Sequence, residues 1–132
     1  MSEMLNTTVN MTWEAKRNKV FWFPQIVECD EFPIRRIHPL KQSQAYGIHK
    51  CFADNDDVAE IYLFGSSVNI RCHIHSDTDV AVLLKNDTRE VRNQVSEQVQ
   101  EICDWDADVV WLNGEDKNGK LYRDVLKGVR LK

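Results

Sequence analysis

Two short apolar runs in the middle of the chain have the pattern of buried β-strands. Residues 61–64 (IYLF) combine β-branched and aromatic side chains and end at a Gly-Ser-Ser turn, whereas residues 80–84 (VAVLL) follow the polar triplet Asp-Thr-Asp. Strands of this kind are four to eight residues long and are bounded by turn residues. The pattern predicts strands over 58–64 and 78–84, with a short helix between them that begins at one of the two serines.

Helical periodicity is visible further along the chain. Val91, Val95, Val99 and Ile102 recur at intervals of four, four and three residues, which is the spacing of an amphipathic helix. The same approach predicts helices over 39–53, 88–103 and 120–127, and further strands over 106–112 and 129–131, the last at a sheet edge. This order of elements predicts an α/β (α+β) fold, a small mixed β-sheet with helices mainly on one face.

The length of 132 residues is that of one domain, which we place at residues 38–132. Residues 1–37 are less regular and are predicted to form an N-terminal extension, a hairpin or an arm packed on the domain. A chain this short has no room for the separate fingers and thumb of a processive polymerase. We therefore expect one small catalytic or binding domain.

The charge balance bears on the kind of partner. The net charge is −4 and the pI is near 5.5, which argues against broad nonspecific binding to nucleic acid because phosphates require a basic surface. The chain shows neither a signal peptide nor an apolar span near twenty residues, so we expect a cytoplasmic protein without a membrane segment. The four cysteines are scattered without a Cys-x-x-Cys pair and are predicted to be reduced.

Candidate chemistry lies at the ends of the two central strands. Glycine in the Gly65-Ser66-Ser67 turn allows a close backbone approach to a ligand, and the serine hydroxyls and backbone N–H groups suit phosphate oxygens. Asp77 and Asp79 are two residues apart, so along a strand they point to the same face. Mg²⁺ is commonly held by one or two carboxylates together with substrate phosphates. A nucleoside triphosphate with Mg²⁺ is therefore the ligand that this stretch suggests.

Gly65-Ser66, ten further residues and then Asp77-x-Asp79, with apolar strands on both sides, resembles the signature of the DNA polymerase beta-type nucleotidyltransferase superfamily. The similarity is greatest to its minimal nucleotidyltransferase branch and covers roughly residues 40–132. That family carries a third carboxylate on a later strand, and by resemblance Asp108 matches it. The resemblance implies a polymerase beta-like fold.

The resemblance further implies an enzyme that moves a nucleoside monophosphate, AMP from ATP, to an acceptor hydroxyl. Asp77, Asp79 and Asp108 would be the catalytic and metal-binding residues, holding two Mg²⁺ ions or Mn²⁺ in their place. Gly65, Ser66 and Ser67 would bind the nucleotide. The acceptor would be a partner protein, since such domains often pair with a helical HEPN-type protein in toxin–antitoxin modules. Self-association into a homo-oligomer stays open.

Two alternatives remain at this stage. Many minimal members carry a basic residue just after Gly-Ser and a second glycine soon after it, whereas this chain has Ser67 and Ile70 there. That departure favours a noncatalytic nucleotide-binding or regulatory module of the same fold. A weaker alternative is a zinc site formed by Cys72, His73 and His75, because thiolate and imidazole suit zinc.

Overall fold

A computed structural model describes residues 37–68, 72–73 and 75–132. The predicted hairpin or arm lies outside the described residues, as does Ile70. The first described residue, Ile37, is fully buried in the core. From there onward the chain alternates helices and strands as the sequence predicts.

The sheet has four strands in the order β3-β2-β1-β4. Strands β1 and β2 are antiparallel, β4 pairs antiparallel with β1, and β3 runs parallel to β2 at the other side. The strands are β1 (Val58–Phe64), β2 (Thr78–Leu84), β3 (Ala107–Trp111) and β4 (Val129–Arg130), and the helices are α1 (Gln42–Phe52), α2 (Arg89–Ile102) and α3 (Lys120–Leu126). Every predicted strand and long helix is present, and the α/β class is confirmed.

One predicted element has a different form. Where a short helix is expected after β1, the described residues Gly65–Val68 form a 3₁₀ turn of four residues. A turn this short has no appreciable helix dipole, because that effect requires several aligned peptide units. Within the described residues 65–68, any attraction for phosphate therefore depends on local N–H and hydroxyl groups.

The two faces of the sheet pack against different helices because side chains alternate along each strand. Val80 and Val82 face a larger core, whereas Ala81 between them faces a smaller one. The larger core contains the buried residues of α1 and α2, including Ile48 and Val95. The smaller core is closed by α3, so two helices cover one face and one short helix covers part of the other.

Helix α2 illustrates how the sequence sets an element's limits. The side chain of Thr88 accepts a hydrogen bond from the backbone N–H of Val91 at 3.1 Å, which satisfies one of the free donors at the helix start. Val91, Val95 and Val99 are buried, so the predicted stripe faces the core.

Among the described residues, none of the helices has the length and apolar character needed to cross a bilayer.

Candidate nucleotide and metal site

Three aspartates predicted as site residues lie at the same edge of the sheet. Asp79 is the second residue of β2 and Asp108 the second residue of β3, and the two are direct partners in the parallel ladder. Partners in adjacent strands are about 4.8 Å apart and direct their side chains to the same face. Asp77 immediately precedes β2. The structure therefore brings Asp79 and Asp108 to one end of one face, with Asp77 close enough for its charge to affect Asp79.

Electrostatics show that these carboxylates influence one another. The pKa of Asp79 is raised above its usual value, first by burial and then by the negative charges of Asp108 and Asp77. Asp77 and Asp108 are exposed, and Asp79 is half-buried between them. Like charges repel, so the ionised form of Asp79 is disfavoured unless a positive charge is nearby.

Gly65 is held against Asp79 by the antiparallel pairing, because the preceding residue, Phe64, is the partner of Asp79. The φ of Gly65 is +71°, a left-handed conformation that favours glycine. A Cβ at this position would overlap Asp79 Oδ2 and would lie 3.1 Å from Asp79 Cγ. Glycine is thus required here both by the backbone conformation and by the close approach of the carboxylate.

The two serines of the turn occupy different environments. Ser66 is partly exposed, and its hydroxyl donates to the backbone carbonyl of Asp77 at 3.4 Å. Ser67 is fully buried, and its hydroxyl has no hydrogen-bond partner in the structure, while its backbone carbonyl accepts from the N–H of His38 at 2.8 Å. Of these two serines, Ser66 is therefore the one that presents a hydroxyl at the surface beside the aspartates.

No three acidic, histidine or cysteine side chains within residues 37–68, 72–73 and 75–132 are already gathered as a ligand set around one point. The three aspartates lie at the same edge of the sheet, but their carboxyl groups do not surround a common centre. The alternative zinc residues are not assembled either. The rings of His73 and His75 lie 6.3 Å apart in an edge arrangement, and Cys72 is buried.

A buried lysine, which the sequence analysis did not identify, lies behind the aspartates. Lys41 precedes α1 and is 5% exposed. Its ammonium group donates to the backbone carbonyl of Ser76 at 2.6 Å and to Thr78 Oγ1 at 2.8 Å. Its charge also lowers the pKa of Asp79, opposing in part the effect of burial and of the other carboxylates. A lone lysine in a helix pattern gives no sequence signal for such a contact.

The start of β3 is fixed by a second feature that the sequence analysis missed. The amide of Gln100 donates to the carbonyl of Ala107 at 2.7 Å and accepts from its N–H at 3.1 Å. The intervening turn contains two consecutive left-handed residues, Asp104 and Trp105, and the N–H of Trp105 donates to the Gln100 carbonyl at 2.7 Å. These bonds hold the residue that immediately precedes Asp108.

The family described as "Polymerase beta, Nucleotidyltransferase" matches residues 47–132, which is more than half of the chain. The chain belongs to this nucleotidyltransferase family. The match spans β1 to β4 and so includes Gly65, Asp77, Asp79 and Asp108. No curated protein shows a significant match.

Solved structures of toxin–antitoxin complexes resemble this nucleotidyltransferase. A chain of a mutant MntA–HpeT toxin–antitoxin has 27% identity and a TM-score of 0.53, over 67% of this chain and 72% of that one. A toxin–antitoxin with AMP-PNP has 28% identity and the same TM-score and coverage. A third is a tri-AMPylated Shewanella oneidensis HEPN toxin in complex with MNT antitoxin, with 27% identity and a TM-score of 0.50 over 70% and 71% of the two chains.

These matches confirm the resemblance to minimal nucleotidyltransferases. The four-stranded mixed sheet agrees with the polymerase beta-like fold expected from the sequence. The family match and the AMPylated neighbour together support nucleotidyltransferase activity. The roles of the individual site residues stay predictions.

Proposed function

We propose that this nucleotidyltransferase moves AMP from ATP to a hydroxyl group on a partner protein. The observation that carries the proposal is the pairing of Asp79 with Asp108 in the parallel register, next to Asp77 and the Gly65-Ser66 turn. Three acidic groups at the end of a strand pair, beside a glycine that allows close approach, suit a triphosphate accompanied by divalent cations.

The donor set supports Mg²⁺, with Mn²⁺ as a substitute. Carboxylate oxygens are the ligands that these hard cations prefer, and Asp77, Asp79 and Asp108 would hold two ions. Burial and then the repulsion from Asp108 and Asp77 raise the pKa of Asp79, and a cation among the carboxylates would offset that repulsion. When bound, the ions supply positive charge to the phosphate oxygens and to the leaving pyrophosphate.

The chain's own residues position the reactants. Gly65 leaves room for the Asp79 carboxylate to lie against the turn, and Ser66 offers a partly exposed hydroxyl to a phosphate oxygen. Ser67 would contribute through its backbone, since its hydroxyl is buried. The acceptor oxygen attacks the α-phosphorus as the bond to pyrophosphate breaks, and the exposed Asp108 accepts the proton of the attacking hydroxyl.

A helical HEPN-type protein is the acceptor that we propose. The support is the similar MNT antitoxin, whose HEPN toxin partner is AMPylated in the solved complex. The net charge of −4 also favours a protein acceptor over nonspecific nucleic acid. In this proposal the chain acts as the modifying member of a toxin–antitoxin pair.

A labelling experiment tests the transfer. With Mg²⁺ and a co-expressed HEPN-type protein, label from [α-³²P]ATP is expected on the partner, whereas label from [γ-³²P]ATP is expected in pyrophosphate. Omitting Mg²⁺ and adding EDTA is the control and should abolish both signals. Nucleotide binding without transfer or pyrophosphate release, for all four nucleoside triphosphates, would contradict catalysis.

The same experiment decides on the second candidate function, a noncatalytic nucleotide-binding or regulatory module. One observation favours that candidate: Ser67 occupies a position that is basic in many minimal members, and its side chain is buried. A module of this kind would bind ATP and its partner without consuming the nucleotide.

A further inference from the structure

Residues 76–79 at the start of β2 are anchored from the face opposite the aspartates. Lys41 donates to the carbonyl of Ser76 and to Thr78 Oγ1, and the Thr78 hydroxyl in turn donates to Gln44 Oε1 at 2.5 Å. Thr78 is fully buried. Lys41 and Gln44 both belong to the segment around the start of α1, so these bonds join that helix to the start of β2.

The anchored residues alternate with the aspartates. Asp77 lies between Ser76 and Thr78, and Asp79 follows directly. Because neighbouring side chains along a strand point to opposite faces, holding Thr78 on the helix side directs Asp79 to the other side. Asp77 is outside the strand and exposed, so it has no ladder partner of its own. The bonds to Ser76 and Thr78 flank it on both sides.

The burial of Lys41 requires an explanation beyond packing. None of the carboxylates in the described part of the chain forms an ion pair with it. Burying an unpaired ammonium is unfavourable, and a leucine or methionine would fill the same space without that cost. Directed hydrogen bonds to the segment that carries the aspartates are what the ammonium provides and an apolar side chain does not.

We propose that Lys41, acting through Ser76 and Thr78, is a positioning residue that holds Asp77 and Asp79 in the arrangement that binds divalent cations. The inference rests on the proposed function, because it assumes that these aspartates bind the cation. The ammonium of Lys41 bonds on the helix side of β2, to the residues on either side of Asp77.

Two explanations of Lys41 predict opposite results, which makes the inference testable. If only its positive charge mattered, removing the charge would leave the site more negative and would strengthen cation binding. If its hydrogen bonds matter, removal loosens residues 76–79 and weakens cation binding. Mutating a residue that supports metal ligands typically lowers the affinity for the metal by about 10- to 100-fold.

The experiment is titration with Mn²⁺ followed by the EPR signal of the free ion, on wild type, Lys41→Met, Thr78→Val and Thr78→Ser. Lys41→Met removes the ammonium and both of its bonds, whereas Thr78→Val removes the hydroxyl at constant charge and shape. Both are expected to weaken Mn²⁺ binding by about 10-fold. Thr78→Ser keeps the hydroxyl and should bind as wild type does. Lys120→Met, which removes an exposed lysine paired with Asp124, is the matched control.

The outcomes separate this inference from the proposed function. One contrary result is that wild type binds Mn²⁺, Lys41→Met binds it more tightly and Thr78→Val binds it with unchanged affinity. That result overturns the positioning role and leaves the proposed function intact. An unchanged Mn²⁺ affinity in both Lys41→Met and Thr78→Val likewise overturns the positioning role alone. Wild type that binds no Mn²⁺ overturns both. Thermal unfolding of each variant verifies that the protein is folded, and Thr78→Val, compared with Thr78→Ser, tests the inference should Lys41→Met fail to fold.

Discussion

Replacing Asp79 with asparagine is expected to reduce AMP transfer by about 10³-fold or more while making the cation-free protein more stable. Asp79 is central among the three carboxylates, being paired with Asp108 and preceded by Asp77. Losing its carboxylate removes several kcal/mol of charge stabilisation from the transition state of transfer, and each 1.4 kcal/mol corresponds to about a tenfold change in rate. The transfer rate from [α-³²P]ATP and the unfolding temperature are the two measurements.

The stability gain follows from the direction of the Asp79 pKa. Burial and the neighbouring carboxylates raise that pKa above 3.8, so the folded state binds the proton more tightly than the unfolded chain. Stability is therefore highest below the unfolded pKa and decreases as the pH rises through the raised folded pKa. Above the raised folded pKa the penalty is fully present, and asparagine removes it.

Asp87→Asn is the matched control for Asp79→Asn. Asp87 lies outside the site, and the bidentate bond with Arg92, at 2.7 and 2.9 Å, lowers its pKa. The pKa shift of Asp87 is thus opposite in sign to that of Asp79, because the ionised form of Asp87 is favoured in the folded state. Asparagine at position 87 should therefore leave transfer unchanged and slightly lower the unfolding temperature. An unfolding temperature that falls in Asp79→Asn as well would contradict the repulsion inferred among the three carboxylates.

Gly65→Ala is expected to be strongly destabilising and to impair transfer. The φ of +71° costs an L-residue about 1–2 kcal/mol, and displacing the Asp79 carboxylate adds about 1–3 kcal/mol of overpacking. Because misplacing a group by about 1 Å can reduce a rate by about 10²-fold, a similar loss is expected in transfer by the fraction that remains folded. Urea unfolding and the transfer rate measure the two effects.

Gly114→Ala separates the cost of a left-handed backbone conformation from the cost of the contact between a Cβ at residue 65 and the Asp79 carboxylate. Gly114 also has a left-handed conformation, with φ +83°, but a Cβ there would have no neighbour within 4 Å. Only the conformational cost of about 1–2 kcal/mol is expected, and transfer should be unchanged. Equal effects of the two substitutions on both measurements would show that contact between residue 65 and Asp79 is unimportant.

Much of the fold could be predicted because local patterns and tertiary packing agree. The valine spacing of α2 gave its buried face, and Thr88 gave its start. The apolar runs of β1 and β2 predicted the central strands, and the turn residues between them indicated the location of the candidate site. These features depend on periodicity and capping, which are local properties of the sequence.

Features that depend on contacts between distant residues were not predictable in this way. The hydrogen bond between Lys41 and Thr78 spans 37 positions, and the Gln100 amide pairs with Ala107 at the start of a strand that is brought near it only by the fold. The burial of Ser67 and the packing of α3 on the second face also follow from tertiary packing. The predicted site residues were identified by motif and resemblance, and the structure adds the register that brings Asp79 beside Asp108.

The central claim is that Asp77, Asp79 and Asp108 together hold divalent cations at the end of the sheet. Its most direct test is anomalous scattering from a crystal grown with Mn²⁺ and a nonhydrolysable ATP analogue. The account predicts two anomalous peaks, with carboxylate oxygens of all three aspartates within about 2.0–2.4 Å of a metal. Peaks absent from this edge, or ions bound with the Asp108 carboxylate turned away, would contradict it.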